Sequence, residues 1–155
     1  MISPELIAQT KFEEWMRLKK YRCSAGKWTI GYGRNLDANP FFEGNRIPDE
    51  ITQHEAEIIL IHDLNHAAIV LAAAWHGYEL IQGARRDACI QMCYQLGLDG
   101  FLGFKKMRSA LVWCDWQTAY KEALDSKWAM QDCPKRAKRV AGQFLTGRYY
   151  PVPST

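Results

Sequence analysis

The chain has 155 residues, 48% of them hydrophobic and 24% charged, the composition of an ordinary folded domain, which excludes wholesale disorder. At this length about 70% of the unfolded surface can be buried, so a core forms without disulfide or metal staples. The net charge of +3 is unevenly distributed: residues 51–84 carry four acids and no Lys or Arg, whereas residues 85–155 carry twelve bases against six acids. That excess favours a polyanionic partner, such as nucleic acid, a membrane surface or an anionic cell-wall polymer.

Residues 3–20 are predicted as a helix, with Ser3 as N-cap, Pro4 in the first turn and Glu5 complementing the dipole. Residues 22–47 change character, with Gly26, Gly31, Gly33, Gly44, Pro40 and the alternating K-W-T-I-G-Y-G, and carry the β signal. Thr52-Gln53-His54-Glu55 is a capping-box pattern opening a helix to about Trp75, its apolar face drawn through Ile58, Ile59, Ile61, Leu64, Ala68 and Leu71. Residues 83–155 read as helical, punctuated at 97–100, 114–115 and 133–134, with Pro151–Thr155 as a loose end. The expectation is an α+β, mostly helical fold: a small lobe with a sheet (about 12–51), a connecting helix (about 52–75) and a helical lobe (about 76–150) against which residues 1–11 pack. No run of 18 uninterrupted apolar residues occurs, so no membrane insertion is expected. The N-terminal stretch meets Glu5 and Lys11 before any long apolar run, so no secretory signal is expected either.

Five cysteines (Cys23, Cys89, Cys93, Cys114, Cys133) without a C-x-x-C pair predict free thiols in a reducing compartment. All but Cys23 read as small core residues. On a helical wheel Glu14 falls with Leu6, Ile7 and Leu18, inside the apolar stripe. A carboxylate so placed is partly desolvated, which raises its pKa and suits a general acid. Glu13 lies nearer the stripe's edge, where replacement by Gln should be nearly silent.

Glu14 opens a constellation. Eight residues separate it from Cys23 and five separate Cys23 from Thr29, after which the chain reads I-G-Y-G. With the flanking Arg17, Leu18, Lys19 and Tyr21, this resembles the phage-type lysozymes (endolysins, glycoside hydrolase family 24), whose motif is Glu-x8-Asp/Cys-x5-Thr. The M-C-Y-Q-L-G and G-F-L-G-F blocks within residues 85–104, Ser126-Lys127-Trp128, R-A-K-R-V at 136–140 and F-L-T-G at 144–147 extend the resemblance over most of the chain.

The resemblance implies two lobes around a cleft joined by a long helix, and hydrolysis of the β-1,4 bond between N-acetylmuramic acid and N-acetylglucosamine in peptidoglycan. It implies Glu14 as the acid, Thr29 positioning water or the cleft backbone, and Cys23 as base, nucleophile or spectator. The neighbouring Lys20, Arg22 and Lys27 are expected to lower the Cys23 pKa. Asn35, Tyr94, Gln95 and Phe104 are candidate sugar contacts. No cofactor is expected, and the protein is expected to act as a monomer. It would wait in the host cytoplasm until a membrane-opening protein such as a holin gives it access to the wall in the periplasm.

Two other readings compete. His62 and His66 stand one helical turn apart, a spacing able to hold zinc in a cell-wall peptidase, but the intervening residues are Asp-Leu-Asn rather than those of H-E-x-x-H. Lys135, Arg136, Lys138 and Arg139 place four bases in five residues, able to contact nucleic-acid phosphates but with no accompanying recognition motif.

Overall fold

Ser3 does cap the first helix: its side chain accepts from the Leu6 amide, Pro4 stands in the first turn, and α1 runs Pro4–Glu13. These positions come from a computed structural model that describes residues 2–39 and 48–154. The predicted extension of this helix to residue 20 is wrong. Glu14 is already extended (φ −102°, ψ 135°), and Arg17–Arg22 form β1. Four of its six residues are charged, so it lacks the apolar alternation by which strands are usually recognised. Its backbone is committed by pairing instead. β1 runs antiparallel to β2 (Trp28–Gly31), with Arg17 opposite Gly31, Tyr21 opposite Thr29 and Arg22 opposite Trp28. β3 (Arg34–Asn35) pairs antiparallel on the far side of β2, giving the order β1-β2-β3. Of the predicted β region, Pro40 and Gly44 lie outside the described residues.

The long helix α2 (Gln53–Ala74) begins at the complete Thr52/Glu55 capping box and ends before Trp75. Its buried face is Ala56, Leu60, Leu64, Ala67 and Leu71, whereas Ile58 and Ile61, both assigned inward from the sequence, are exposed. The helix is apolar nearly all round, so periodicity could not orient it. By length and composition α2 is apolar enough to cross a membrane, although polar and charged residues interrupt any 18-residue apolar run. In this fold its buried leucines are core residues, each contributing about 2 kcal/mol of burial.

After a short 3-10 turn (His76–Leu80), α3 (Gly83–Leu102) forms the centre of the helical lobe, with a break at Gly97 (φ 76°, ψ 167°). Around it lie α4 (Lys105–Val112), α5 (Trp116–Leu124, capped by Asp115), a π turn at Trp128–Asp132, and α6 (Pro134–Thr146). Ala88, Ile90 and Met92 of α3 and Ala137, Val140, Ala141 and Phe144 of α6 share one core with α2. The C-terminal segment ties α1 to this lobe. The Tyr149 hydroxyl donates to Asp87 Oδ2 at 2.7 Å, Ser3 donates to the same oxygen, and Gln9 donates to the Tyr150 carbonyl at 2.9 Å.

All five cysteines are free, but only Cys89 and Cys93 are buried. Cys114 is exposed at the α4–α5 turn with φ 56°, and Cys133 is half-buried ahead of α6, so neither is the core residue expected.

Candidate active site

The last turn of α1 presents two consecutive carboxylates at the negative end of a helix, an arrangement the helix dipole disfavours. Two arginines from α6 offset it. Arg136 Nη1 donates to Glu14 Oε1 at 2.6 Å. Arg139 grips Glu13 with both arms, Nε to Oε1 at 2.7 Å and Nη2 to Oε2 at 2.8 Å. Glu13 also accepts from the Tyr150 hydroxyl at 3.1 Å, and its side chain is only 5% exposed. The sequence expectation of a peripheral Glu13 is therefore overturned. Glu14 is not packed in an apolar stripe either: it leaves the helix, and its setting is an ion pair at the cleft. Arg136 spans the lobes for this purpose and is only 7% exposed.

Glu14 lines a cleft of about 1070 Å³ together with Gly33, Asn35, Asp63, His66, Tyr94, Gln95 and Arg136, among others. With Oε1 on Arg136, Oε2 lies near Gly33, where a Cβ would come within 3.4 Å of it. Gly33 also has φ +85°, so a side chain there would be strained as well as crowding the carboxylate. Arg34, beside it, pairs with Asp63 of α2 and so ties the sheet to the long helix.

Cys23, in the turn after β1, comes together with Thr29 of β2. The turn after β1 closes with Cys23 N donating to the Lys27 carbonyl at 2.9 Å and Gly26 N to the Cys23 carbonyl at 2.8 Å. The thiol is lowered from its ordinary value, first by the Lys27 amide, then the Ala25 amide, with the Thr29 hydroxyl adding to them. The expected influence of nearby cationic side chains is not the cause. Lys20 and Arg22 instead lie over the Trp28 ring, at 4.7 and 4.3 Å. Thr29 is buried in β2, and its hydroxyl donates to the Lys27 carbonyl at 3.0 Å. Tyr21 of β1 stands opposite Thr29. Burial raises its pKa, Arg17 opposes this, and Cys23 and Glu14 both push it further up. Cys23 and Thr29 do not line the cleft cavity itself, which begins at Glu14 and Gly33.

Three of the four proposed sugar contacts line the cleft. Asn35 turns its Oδ1 to the Asp37 and Ala38 amides, at 3.0 and 3.1 Å, and so shapes the loop. Tyr94 donates its hydroxyl across the cleft to the Tyr32 carbonyl, and burial raises its pKa strongly. Gln95 accepts from Trp128 Nε1 at 3.0 Å and donates to Cys133 Sγ at 3.2 Å, holding α3 to the start of α6. Phe104 does not belong with them. It stacks edge-on against Trp128 and lines a second, separate cavity of about 530 Å³, because the Gly97 break and the turn at Gly103 carry it past the cleft.

The sequence missed Arg136 and Arg139 as site residues. They read as a solvated basic face, whereas the structure turns both onto α1. Lys135 and Lys138 alone remain exposed. The two histidines part company: His62 is exposed beside Asp63, and His66 faces the cleft. Among the described residues no cluster of three His, Cys, Asp or Glu side chains is placed to hold a metal ion.

The family profile described as phage lysozyme matches residues 11–145. The pre-baseplate central spike protein of Enterobacteria phage T4 is 29% identical over 87% of this chain, which spans 26% of that protein. An endolysin of Acyrthosiphon pisum secondary endosymbiont phage 1 is 33% identical over 64% of this chain and 62% of its own length. A probable T4-type lysozyme of Dictyostelium discoideum is 28% identical over 88% of this chain and 91% of its own.

Proposed function

The chain belongs to the phage lysozyme family, and from that premise we propose that it is a muramidase, cleaving the β-1,4 bond between N-acetylmuramic acid and N-acetylglucosamine in peptidoglycan. The observation that carries this reading is Glu14: a carboxylate fixed through one oxygen by Arg136, with its other oxygen at the edge of a cleft large enough for several sugar rings. Glycoside hydrolysis needs an acid for the leaving oxygen and a second group for the anomeric carbon. Glu14 supplies the proton. Cys23, just outside that cavity and with its thiolate favoured by two amides, is the candidate for the second group, as base or as nucleophile, and a spectator is the alternative that its substitutions separate. Thr29 holds the backbone beneath that thiol through its bond to the Lys27 carbonyl. Arg136 is a positioning residue, setting the direction of Glu14.

The biological role proposed with this chemistry is host cell lysis by a monomeric endolysin, held in the cytoplasm until a holin opens the membrane. The test is release of reducing sugar from purified peptidoglycan. The expected result is release by the wild type and none by Glu14→Gln. Release of free amino groups without reducing sugar would assign a peptidase instead.

A further inference from the structure

Among the described residues the cleft has a charge left over, for each of their carboxylates there is matched by an arginine: Glu13 by Arg139, Glu14 by Arg136 and Asp63 by Arg34. Lys135 also lines the cleft and has no ion pair among the described residues. Beside it, Arg136 spends only Nη1 on Glu14. Its Nε and Nη2 are buried and have no partner among the described residues. A buried guanidinium with two idle donors is an incomplete arrangement, because buried donors are normally satisfied.

Both residues stand in the first turn of α6, a 13-residue helix that opens with Pro134 and has no side-chain cap. Its first helical bond runs from the Ala137 amide to the Cys133 carbonyl at 2.9 Å, so the Lys135 and Arg136 amides precede the ladder. The positive end of the helix dipole and an unpaired ammonium thus share one wall of the cleft, with the under-used guanidinium of Arg136, another lining residue, buried in that wall.

We propose that this wall is a subsite for a carboxylate carried by the substrate, an inference that rests on the muramidase reading above. The polymer offers two sources, the lactyl group of muramic acid and the carboxylates of its peptide.

The experiment is calorimetric or NMR titration of the full chain with three disaccharides: neutral chitobiose, N-acetylglucosaminyl-N-acetylmuramic acid with a free lactyl carboxylate, and the same disaccharide carrying a tetrapeptide. Lys135→Glu and Lys135→Gln are compared with wild type, and unfolding curves confirm that the exposed substitution leaves the fold intact. Lys135→Glu is expected to weaken the acidic probes about tenfold, with Lys135→Gln intermediate and Lys135→Arg near wild type. Chitobiose binding should change much less than either acidic probe. A loss confined to the free-lactyl probe assigns the lactyl group, and a loss confined to the tetrapeptide probe assigns the peptide. Equal effects on chitobiose and the acidic probes, or no effect on any, overturn the subsite. Peptidoglycan digestion by the same proteins keeps the two claims apart. Digestion with Lys135-independent binding refutes the subsite alone, and absence of digestion by wild type refutes the muramidase reading.

Discussion

Neighbouring carboxylates with opposite duties give the most discriminating perturbation. Glu13 is enclosed, 5% exposed, and holds three bonds: two charge-assisted ones to Arg139 and one from the Tyr150 hydroxyl. Glu13→Gln leaves one acceptor and turns an amide N–H toward the guanidinium, donor against donor. Breaking a fully buried pair costs about 3–5 kcal/mol. The Arg139 side chain is 35% exposed, so water recovers part of this, leaving about 1–3 kcal/mol. For a chain of this size that corresponds to a Tm fall of roughly 3–10 °C. Turnover by the molecules still folded should persist, since Glu13 has both oxygens engaged by Arg139. Glu14→Gln also costs stability, because Arg136 loses its counter-charge, but its main effect is a loss of about 10²–10⁴-fold in kcat through the missing proton donor. Thermal unfolding by circular dichroism, paired with turnover on purified peptidoglycan well below both Tm values, separates the two. An unchanged Tm in Glu13→Gln, or a kcat that falls as far as in Glu14→Gln, would refute this assignment of roles.

Cys23→Ser should lose most activity, because a serine hydroxyl is far harder to ionise. Cys23→Asp should retain much of it and extend activity toward about pH 4; in wild type the acid limb should lie below the ordinary thiol range, since the Lys27 and Ala25 amides favour the thiolate. Inverted product without an adduct on Cys23 in intact-protein mass spectra assigns a base, a trapped adduct assigns a nucleophile, and full activity in Cys23→Ser assigns a spectator. Thiol-blocking reagents should still slow Cys23→Asp through Cys133 on the cleft wall, an effect that Cys133→Ser added to it should abolish. Tyr149 is pushed up to about 12, first by burial and then by Asp87, so its contribution to stability is complete below its unfolded value and is lost as pH rises toward 12. Tyr149→Phe should flatten that alkaline decline in urea unfolding. Finally, Lys135→Gln with Lys138→Gln should slow whole-cell lysis at low salt and converge with wild type at high salt, whereas Arg136 and Arg139 are unsuitable for this test because both are ion-paired to α1.

The sequence made the α2 start legible to the residue, because Thr52 and Glu55 form a local motif whose bonds need no tertiary partner. The approach of Cys23 to β2 was legible for a similar reason: Cys23 and Thr29 are close along the chain, within a single hairpin. What pairing and packing decide was not legible. β1 is a charged strand recruited by β2, and it cut the predicted helix short at Glu13. The inward face of α2 was ambiguous because Ile58 and Leu60 look alike to a periodicity argument. Arg136 and Arg139 looked like surface charge, since their partners lie more than a hundred residues away in sequence. Phe104 was placed in the cleft by the family resemblance, and the broken end of α3 moved it to another cavity.

The central claim is tested most directly by mass spectrometry of the sugar ends released from purified peptidoglycan. After borohydride reduction, a muramidase yields muropeptides ending in reduced N-acetylmuramic acid, and this is the result expected of the wild-type chain. Fragments ending in reduced N-acetylglucosamine, or free peptides released from intact glycan strands, would contradict it.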